Sequence, residues 1–375
     1  MRVLFAPDKF KGSLTALEAA AAMARGWLLA WPEAEILAHP VADGGDGSLE
    51  VLRAALGGEW KRCTARDARG RPREVQWLWQ PDTRTAWIET ARVAGLAELP
   101  DEERDPLSAT SAGVGDVLRT ALREGAQQVF VCLGGVATND AGCGMAEALG
   151  WRFFDNNGRT INPLLLNLSQ AARIQSVSLG ANIIGLTDVT NPLLGSEGAS
   201  RIFGPQKGAT PEDVARLEEI LRHVANVAQR DLGAPDPMIP GAGAAGGLGY
   251  GVIAFTGGKL ANGFDAIAEC TDLSSAIRNS DLVVTGEGQL DEQTAAGKAP
   301  AGVARLAREQ GKPVIALVGS FRRDSATSEL FDAVMSIQDK PRDLAEAMRN
   351  AALLLEKTTS AAARLIRAGA RLCGQ

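Results

Sequence analysis

The sequence has little of what many catalytic chemistries are built on. It carries only two histidines, His39 and His223, and neither has a partner at metal-ligand spacing. The five cysteines, Cys63, Cys132, Cys143, Cys270 and Cys373, are scattered, odd in number and without a C-x-x-C pair. Neither a disulfide framework nor a zinc site is therefore indicated, and nothing supports Ser-His-Asp or Cys-His nucleophilic chemistry. No apolar run approaches the length needed to cross a bilayer. The formal net charge of -6 argues against a nucleic acid or a membrane surface as partner. The opening stretch is broken at Pro7, too soon for a secretion signal. It reads as a first buried strand, and the expected location is the cytoplasm. There is no Walker A loop: Gly297-Lys298 and Gly311-Lys312 are followed by Ala299 and Pro313 where Ser or Thr would be needed. No fixed-period repeat is visible.

What the chain does have is ordinary globular composition and much glycine. It is 45% hydrophobic and 22% charged over 375 residues, a length that suggests two domains. Its 42 glycines cluster in loops. The first sixty residues alternate strand and helix. Arg2 to Ala6 is a strand, and a helix follows with Thr15 and Glu18 at capping-box spacing. Ile36 to Val41 is a second strand, followed by a helix from Leu49 to Leu56. Such alternation marks a parallel sheet with covering helices. Three short alternating segments, Trp60 to Asp67, Arg73 to Gln80 and Thr85 to Thr90, read instead as antiparallel strands. A helix from Ser111 to Glu124 and a strand from Val129 to Leu133 come next. Thr210-Pro211-Glu212-Asp213 starts a helix whose stripe is Val214, Leu217, Leu221, Val224 and Ala228. Pro240 to Gly251 is nearly all glycine and alanine.

The alternation then resumes. Asp281 to Thr285 is a strand, Gly286 to Thr294 its loop, and a helix ends at Gly311. Pro313 to Val318 and Ala333 to Ile337 are further strands. Two closing helices are expected to split near Lys357-Thr358-Thr359. The expected fold class is α/β, with two domains. A parallel α/β domain is built from both chain ends, residues 1–60 and 275–375, and a mixed α/β domain, residues 61–274, is inserted between them. Two chain crossings would leave a cleft, a common place for a ligand.

The polar loops carry the chemistry. Asp8, Asp43, Asp188, Glu287 and Asp291 each follow an expected buried strand, which is where ligands bind in parallel sheets. One such acid is usually a cap or turn former; five at equivalent positions suggest a convergent acidic site. Lys9, Lys11, Lys207 and Lys298 share these loops and suit phosphate oxygens or a substrate carboxylate. The stretch Asp188 to Gly208 is long for a loop without periodicity. It ends in Gln206-Lys207-Gly208, which suits a small anion. Gly134-Gly135, Gly243-Ala244 and Gly286 offer backbone N–H groups to phosphate. Gly241, Gly243 and Gly246 form a formal G-x-G-x-x-G, but they follow prolines rather than a strand, so the dinucleotide fingerprint lacks its context. An acid-rich site suits phosphoryl transfer, in which Mg²⁺ takes one or two carboxylates plus ATP phosphates and an Asp orients the attacking hydroxyl.

Six blocks in order resemble the signatures of the bacterial glycerate kinase family. They are PDKFKGSLTA (7–16), ADGGDGS (42–48), LGGVATNDAGCG (133–144), TDVTNPLLG (187–195) with FGPQKGA (203–209), PGAGAAGGLG (240–249) and TGEGQLDEQTAAGKAP (285–300). The resemblance implies a flavodoxin-like domain with an inserted domain and a site between them. It implies ATP, Mg²⁺ and D-glycerate, with 2-phospho-D-glycerate as product. On this basis Asp188, then Asp291, are the candidates for orienting the hydroxyl, with Lys11 beside the reacting phosphate. Asp8, Lys9, Asn139, Asp140, Gln206, Lys207, Gly243, Gly286 and Lys298 are candidates for substrate or phosphate contact, and Asp43 and Glu287 for Mg²⁺. The family commonly has Ser at Lys9, Ser at Val136, Gly at Ala141 and Arg-Ile at Gln289-Leu290. The missing Arg puts a contact at position 289 in doubt. Two other classes stay open: a sugar-acid-binding protein without chemistry, and a nicotinamide-dependent oxidoreductase.

Overall fold

The computed structural model describes residues 1–290, 299–321 and 329–372, so Asp291 and Lys298 lie outside the described residues. The fold is α/β, and the chain falls into two compact units. One comprises Met1–Asp43, Glu50–Leu56 and Phe264–Gln375; the other comprises Gly44–Leu49 and Gly57–Gly263. In chain order the described strands are β1 (Arg2–Phe5), β2 (Glu35–Ala38), β3 (Glu59–Arg66), β4 (Pro72–Gln80), β5 (Thr85–Glu89), β6 (Gln128–Cys132), β7 (Arg152–Phe154), β8 (Thr160–Ile161), β9 (Arg173–Gln175), β10 (Asn182–Thr187), β11 (Lys259–Asn262), β12 (Leu282–Leu290), β13 (Val314–Phe321) and β14 (Ala333–Ser336).

In the first unit the sheet runs β2-β1-β12-β13-β14, every described pair parallel. This is the flavodoxin-like strand order. The two-residue side-chain period explains why both faces are covered. Val3 and Phe5 point one way, into a core with Trp27, Val284 and Leu317. Leu4 and Ala6 point the other way, among Val283, Phe264, Val303 and Ala316. A strand apolar on both faces belongs inside a parallel sheet. The helix Ala16–Ala30 opens with the expected capping box: Thr15 Oγ1 accepts from Glu18 N–H at 3.2 Å and Glu18 Oε2 accepts from Thr15 N–H at 2.9 Å.

In the second unit a six-stranded sheet runs β11-β10-β6-β5-β4-β3. β3, β4 and β5 pair antiparallel as expected, but β5 also pairs parallel with β6, so these strands extend a parallel sheet rather than standing apart. The helix Ala112–Arg123 sets Val114, Val117 and Leu118 against Trp77, Ile88 and Val131. The helix Pro211–Leu232, capped by Thr210, buries Leu217, Leu221, Val224 and Ala228 against Phe153, Tyr250 and Phe255. Val214, expected to lead that stripe, is only half-buried. A small antiparallel sheet, β8-β7-β9, completes the unit.

Four local expectations are corrected. Residues 286–290 are strand rather than loop, because Gly286, Glu287 and Gln289 continue the ladder against Leu317, Val318 and Ser320 of β13. The last helix runs unbroken from Ala351 to Leu372, and the break falls at Asn350. Thr359 does not interrupt it, since its hydroxyl donates back to the Leu355 carbonyl at 2.6 Å. The stretch after Asp188 contains a short helix, Ala199–Phe203, and a 3-10 turn, Pro205–Lys207. The glycine-alanine run is largely helical, Ala244–Thr256, with a left-handed kink at Ala245, Gly246 and Gly247.

Candidate active site

In the first unit the strand order reverses between β1 and β12, and in doubly wound sheets ligands bind beyond the carboxyl ends at such a switch point. The chain leaving β1 is fixed there by its backbone: Asp8 N–H donates to the Gly286 carbonyl of β12 at 2.9 Å. The chain leaving β2 is drawn alongside it, with Val41 N–H donating to Pro7 at 2.9 Å. The result is that Asp8, Lys9 and Asp43 meet. Lys9 Nζ lies 3.2 Å from Asp43 Oδ1 and 3.7 Å from Asp8 Oδ1. Asp8 is only 5% exposed, and its Oδ1 also accepts the Lys9 N–H at 2.7 Å. Glu287 and Gly286 are buried on β12, and the Lys11 backbone runs close to Gly288 while its side chain is exposed. Lys9 thus supplies positive charge where the sequence pattern places two acids.

In the second unit the parallel strands β5, β6, β10 and β11 end at Glu89, Cys132, Thr187 and Asn262. Asp188 follows β10 and is half-buried. Around the loop after β6 lies a buried polar cluster. Asp140 accepts four hydrogen bonds: from Ser111 N–H at 2.8 Å, Ser111 Oγ at 2.9 Å, Gly142 N–H at 3.1 Å and Gly144 N–H at 3.2 Å. Burial nevertheless pushes its carboxyl above the usual range. Asn139 donates to Ser200 Oγ at 3.0 Å, while its own Oδ1 and the Thr138 hydroxyl are buried without a hydrogen-bond partner.

Lys207 is turned inward. It is 3% exposed and donates to the Thr138 carbonyl at 2.7 Å. Burial pushes its ammonium down to about 7, with Asp140 pulling the other way. Gln206, next to it, is exposed. Gly243 is buried and its N–H donates to the Asn191 carbonyl at 2.9 Å, so that donor already has a partner within the chain. The glycine run containing it follows the loop after helix Pro211–Leu232, not a strand.

One acid escaped the sequence reading. Glu89 ends β5, whose five residues are all buried, and is itself 1% exposed. It accepts from Gly47 N–H at 2.6 Å and from Arg92 Nε at 3.0 Å. Burial pushes its carboxyl up to about 7; Arg92 opposes this and Asp46 adds to it. The signal for it was an acid closing a run, Thr85-Ala86-Trp87-Ile88, that is otherwise suited to the interior.

Similarity to known proteins covers nearly the whole chain. A family model described as the glycerate kinase family matches residues 3–367. A glycerate kinase of Halalkalibacterium halodurans is 40% identical over 362 residues, 95% of each chain. A glycerate 2-kinase of Escherichia coli K12 is 39% identical over 358 residues, 94% of each. The solved crystal structure of a Salmonella typhimurium LT2 protein, provisionally assigned as glycerate kinase 2, matches with a TM-score of 0.87 at 38% identity over 99% of each chain.

Proposed function

The chain belongs to the glycerate kinase family, and from that premise we propose that it transfers the γ-phosphoryl group of ATP to the C2 hydroxyl of D-glycerate, giving 2-phospho-D-glycerate and ADP. The observation that carries the reading is the match along the full chain to relatives named for this activity, one of them a glycerate 2-kinase. The acid and lysine groups at the strand ends are the chemical support.

In this reading Asp188 accepts a hydrogen bond from the attacking hydroxyl and aligns it, with Asp291 as the second choice for that role. A positioned carboxylate of this kind is what phosphoryl transfer asks of a protein, since most of the catalysis is alignment and charge compensation. Lys11, exposed in the turn that follows β1, would meet the transferring phosphate. Lys9 and Asp8 stand beside it, and Lys298 would add a further positive charge. Asn139 and Gln206 supply neutral hydrogen bonds to the acid substrate, while Lys207 and Asp140 act from the interior by holding the loop that carries Asn139.

Mg²⁺ fits the donor set. Among the described residues no group of three or more His, Cys, Asp or Glu is gathered round one point, but Mg²⁺ usually takes only one or two carboxylates, completing its shell with waters and phosphate oxygens. Asp43 already accepts one cation, the Lys9 ammonium. Asp43 and Glu287 would hold the ion, which would offset charge on the phosphates when bound.

The test is a coupled ADP-release assay with D-glycerate and Mg-ATP, with phosphorus NMR of the product. Turnover giving the 2-phosphate is the expected result. A 3-phosphate product would overturn the regiochemistry. Thermal stabilisation by glycerate without ADP release would indicate a binding protein. An absorbance change of added nicotinamide would indicate an oxidoreductase.

A further inference from the structure

The proposed chemistry gives Glu89, a buried acid, no task. Glu89 closes β5 within the second unit, and among the described residues three groups face it. Arg92, from the short helix Thr90–Ala94, donates to Oε2, and its guanidinium lies 5.4 Å from the centre of the Trp60 ring of β3. The Gly47 N–H donates to Oε1 at 2.6 Å. The third is the carboxyl of Asp46, which comes from the exposed side of the same turn and raises the affinity of Glu89 for a proton. Two carboxyl groups hydrogen-bond to each other only when one of them carries a proton, because two carboxylates have acceptors and no donor.

We propose that Glu89 is a positioning residue: its proton-sharing contact with Asp46, together with the Gly47 N–H bond, fastens the glycine-rich turn 44–48 to the carboxyl end of β5. The inference rests on the kinase reading, in which that turn directly follows Asp43 in the chain. The turn has few side chains with which to hold itself. Ser48 Oγ donates to the Gly45 carbonyl at 2.7 Å, and Glu89 is the acid that reaches both Asp46 and Gly47.

The arrangement has two states. With the proton present, Glu89 holds Asp46 and Gly47 together. When the proton leaves, two carboxylates face each other beside the Arg92 guanidinium, and the Asp46 side of the tether is lost. Burial and Asp46 favour the protonated form and Arg92 the ionised form, which puts the change near neutrality.

The test reads the tether directly as well as through activity. In the full chain labelled with ¹⁵N, the Gly47 amide shift should titrate with a midpoint between about 6 and 8. That titration should vanish in Glu89→Gln, which cannot lose a proton. In Asp46→Asn it should move down by about half a unit or more, because an amide donates to an ionised Glu89. Relative to Glu89→Gln, the wild type should lose about threefold or more in kcat/KM for glycerate between pH 6.5 and 8.5. A flat Gly47 shift in the wild type, or one that titrates unchanged in Glu89→Gln, overturns the proposal. Should Glu89→Gln fail to fold, Asp46→Asn decides, since Asp46 is exposed: an unmoved midpoint overturns the pair. A Gly47 titration as expected, in a protein that never turns over glycerate, would keep the tether and remove the kinase reading.

Discussion

The ammonium nitrogen of Lys207 lies 2.7 Å from the carbonyl oxygen of Thr138, inside the second unit and almost out of reach of water. A lysine so placed supports the loop between β6 and the helix Cys143–Ala148 more than it meets solvent. Its folded-state value is depressed to about 7 against an ordinary 10.5. Between those values the unfolded chain binds more protons than the folded one, so this group makes stability rise with pH across that window. The stability of the wild type minus that of Lys207→Met should grow by about 2 kcal/mol from pH 7 to pH 9. Urea unfolding at both pH values checks it, and a constant difference would mean the amine is not desolvated.

Lys9 sits between Asp8 and Asp43 as a built-in counter-cation. An ammonium there competes with any divalent ion that Asp43 is to hold. Replacing it with the smaller hydroxyl of Lys9→Ser removes an interaction worth about 1 kcal/mol in a partly solvated site. Half-saturating Mg²⁺ should therefore fall about fivefold. A magnesium titration of initial rate at fixed ATP reads this directly; an unchanged or higher requirement would show that Lys9 does not shield the acids.

Gly246 is left-handed, with φ of 67°, and a methyl group there would lie 1.9 Å from the Thr138 carbonyl oxygen and 2.8 Å from Lys207 Nζ. Backbone cannot step aside as a side chain does. Gly246→Ala should cost more than about 3 kcal/mol. Gly70→Ala is the control: its φ is 78° but no atom lies within 4 Å of the added methyl. It should cost only the conformational penalty, about 1–2 kcal/mol. Equal losses in urea unfolding would mean that close packing at Gly246 contributes nothing.

Asp188 stands at the end of β10, where a carboxylate can align a hydroxyl. Asp188→Asn keeps its shape and removes its charge, and should lower kcat by about 100-fold or more. Circular dichroism and thermal unfolding establish that the fold is kept. A loss below about tenfold would pass the role to Asp291.

Much of the framework is written in short stretches of chain. Thr15 with Glu18, and Thr210 with Asp213, announce helix starts because the cap reaches only three residues. The apolar runs of β1, β10 and β12 announce buried parallel strands, and acids and lysines follow them in the sequence. Other features needed partners far away in sequence. β12 continues through Gly286–Leu290 because β13 offers a ladder to it, not because those residues favour a strand. Thr359 stays helical because its hydroxyl is taken up by Leu355.

The same division runs through the site. The sequence alone determined which chemical groups are available, through residue type, spacing and strand-end position. Only the tertiary structure decided what each group faces. Lys9 is paired with Asp43 across thirty-four positions of chain, Lys207 is turned into the protein, and Glu89 is drawn against Asp46 and Gly47. Charge state and hydrogen-bond partner depend on burial and on neighbours brought in by folding, and no local pattern encodes them.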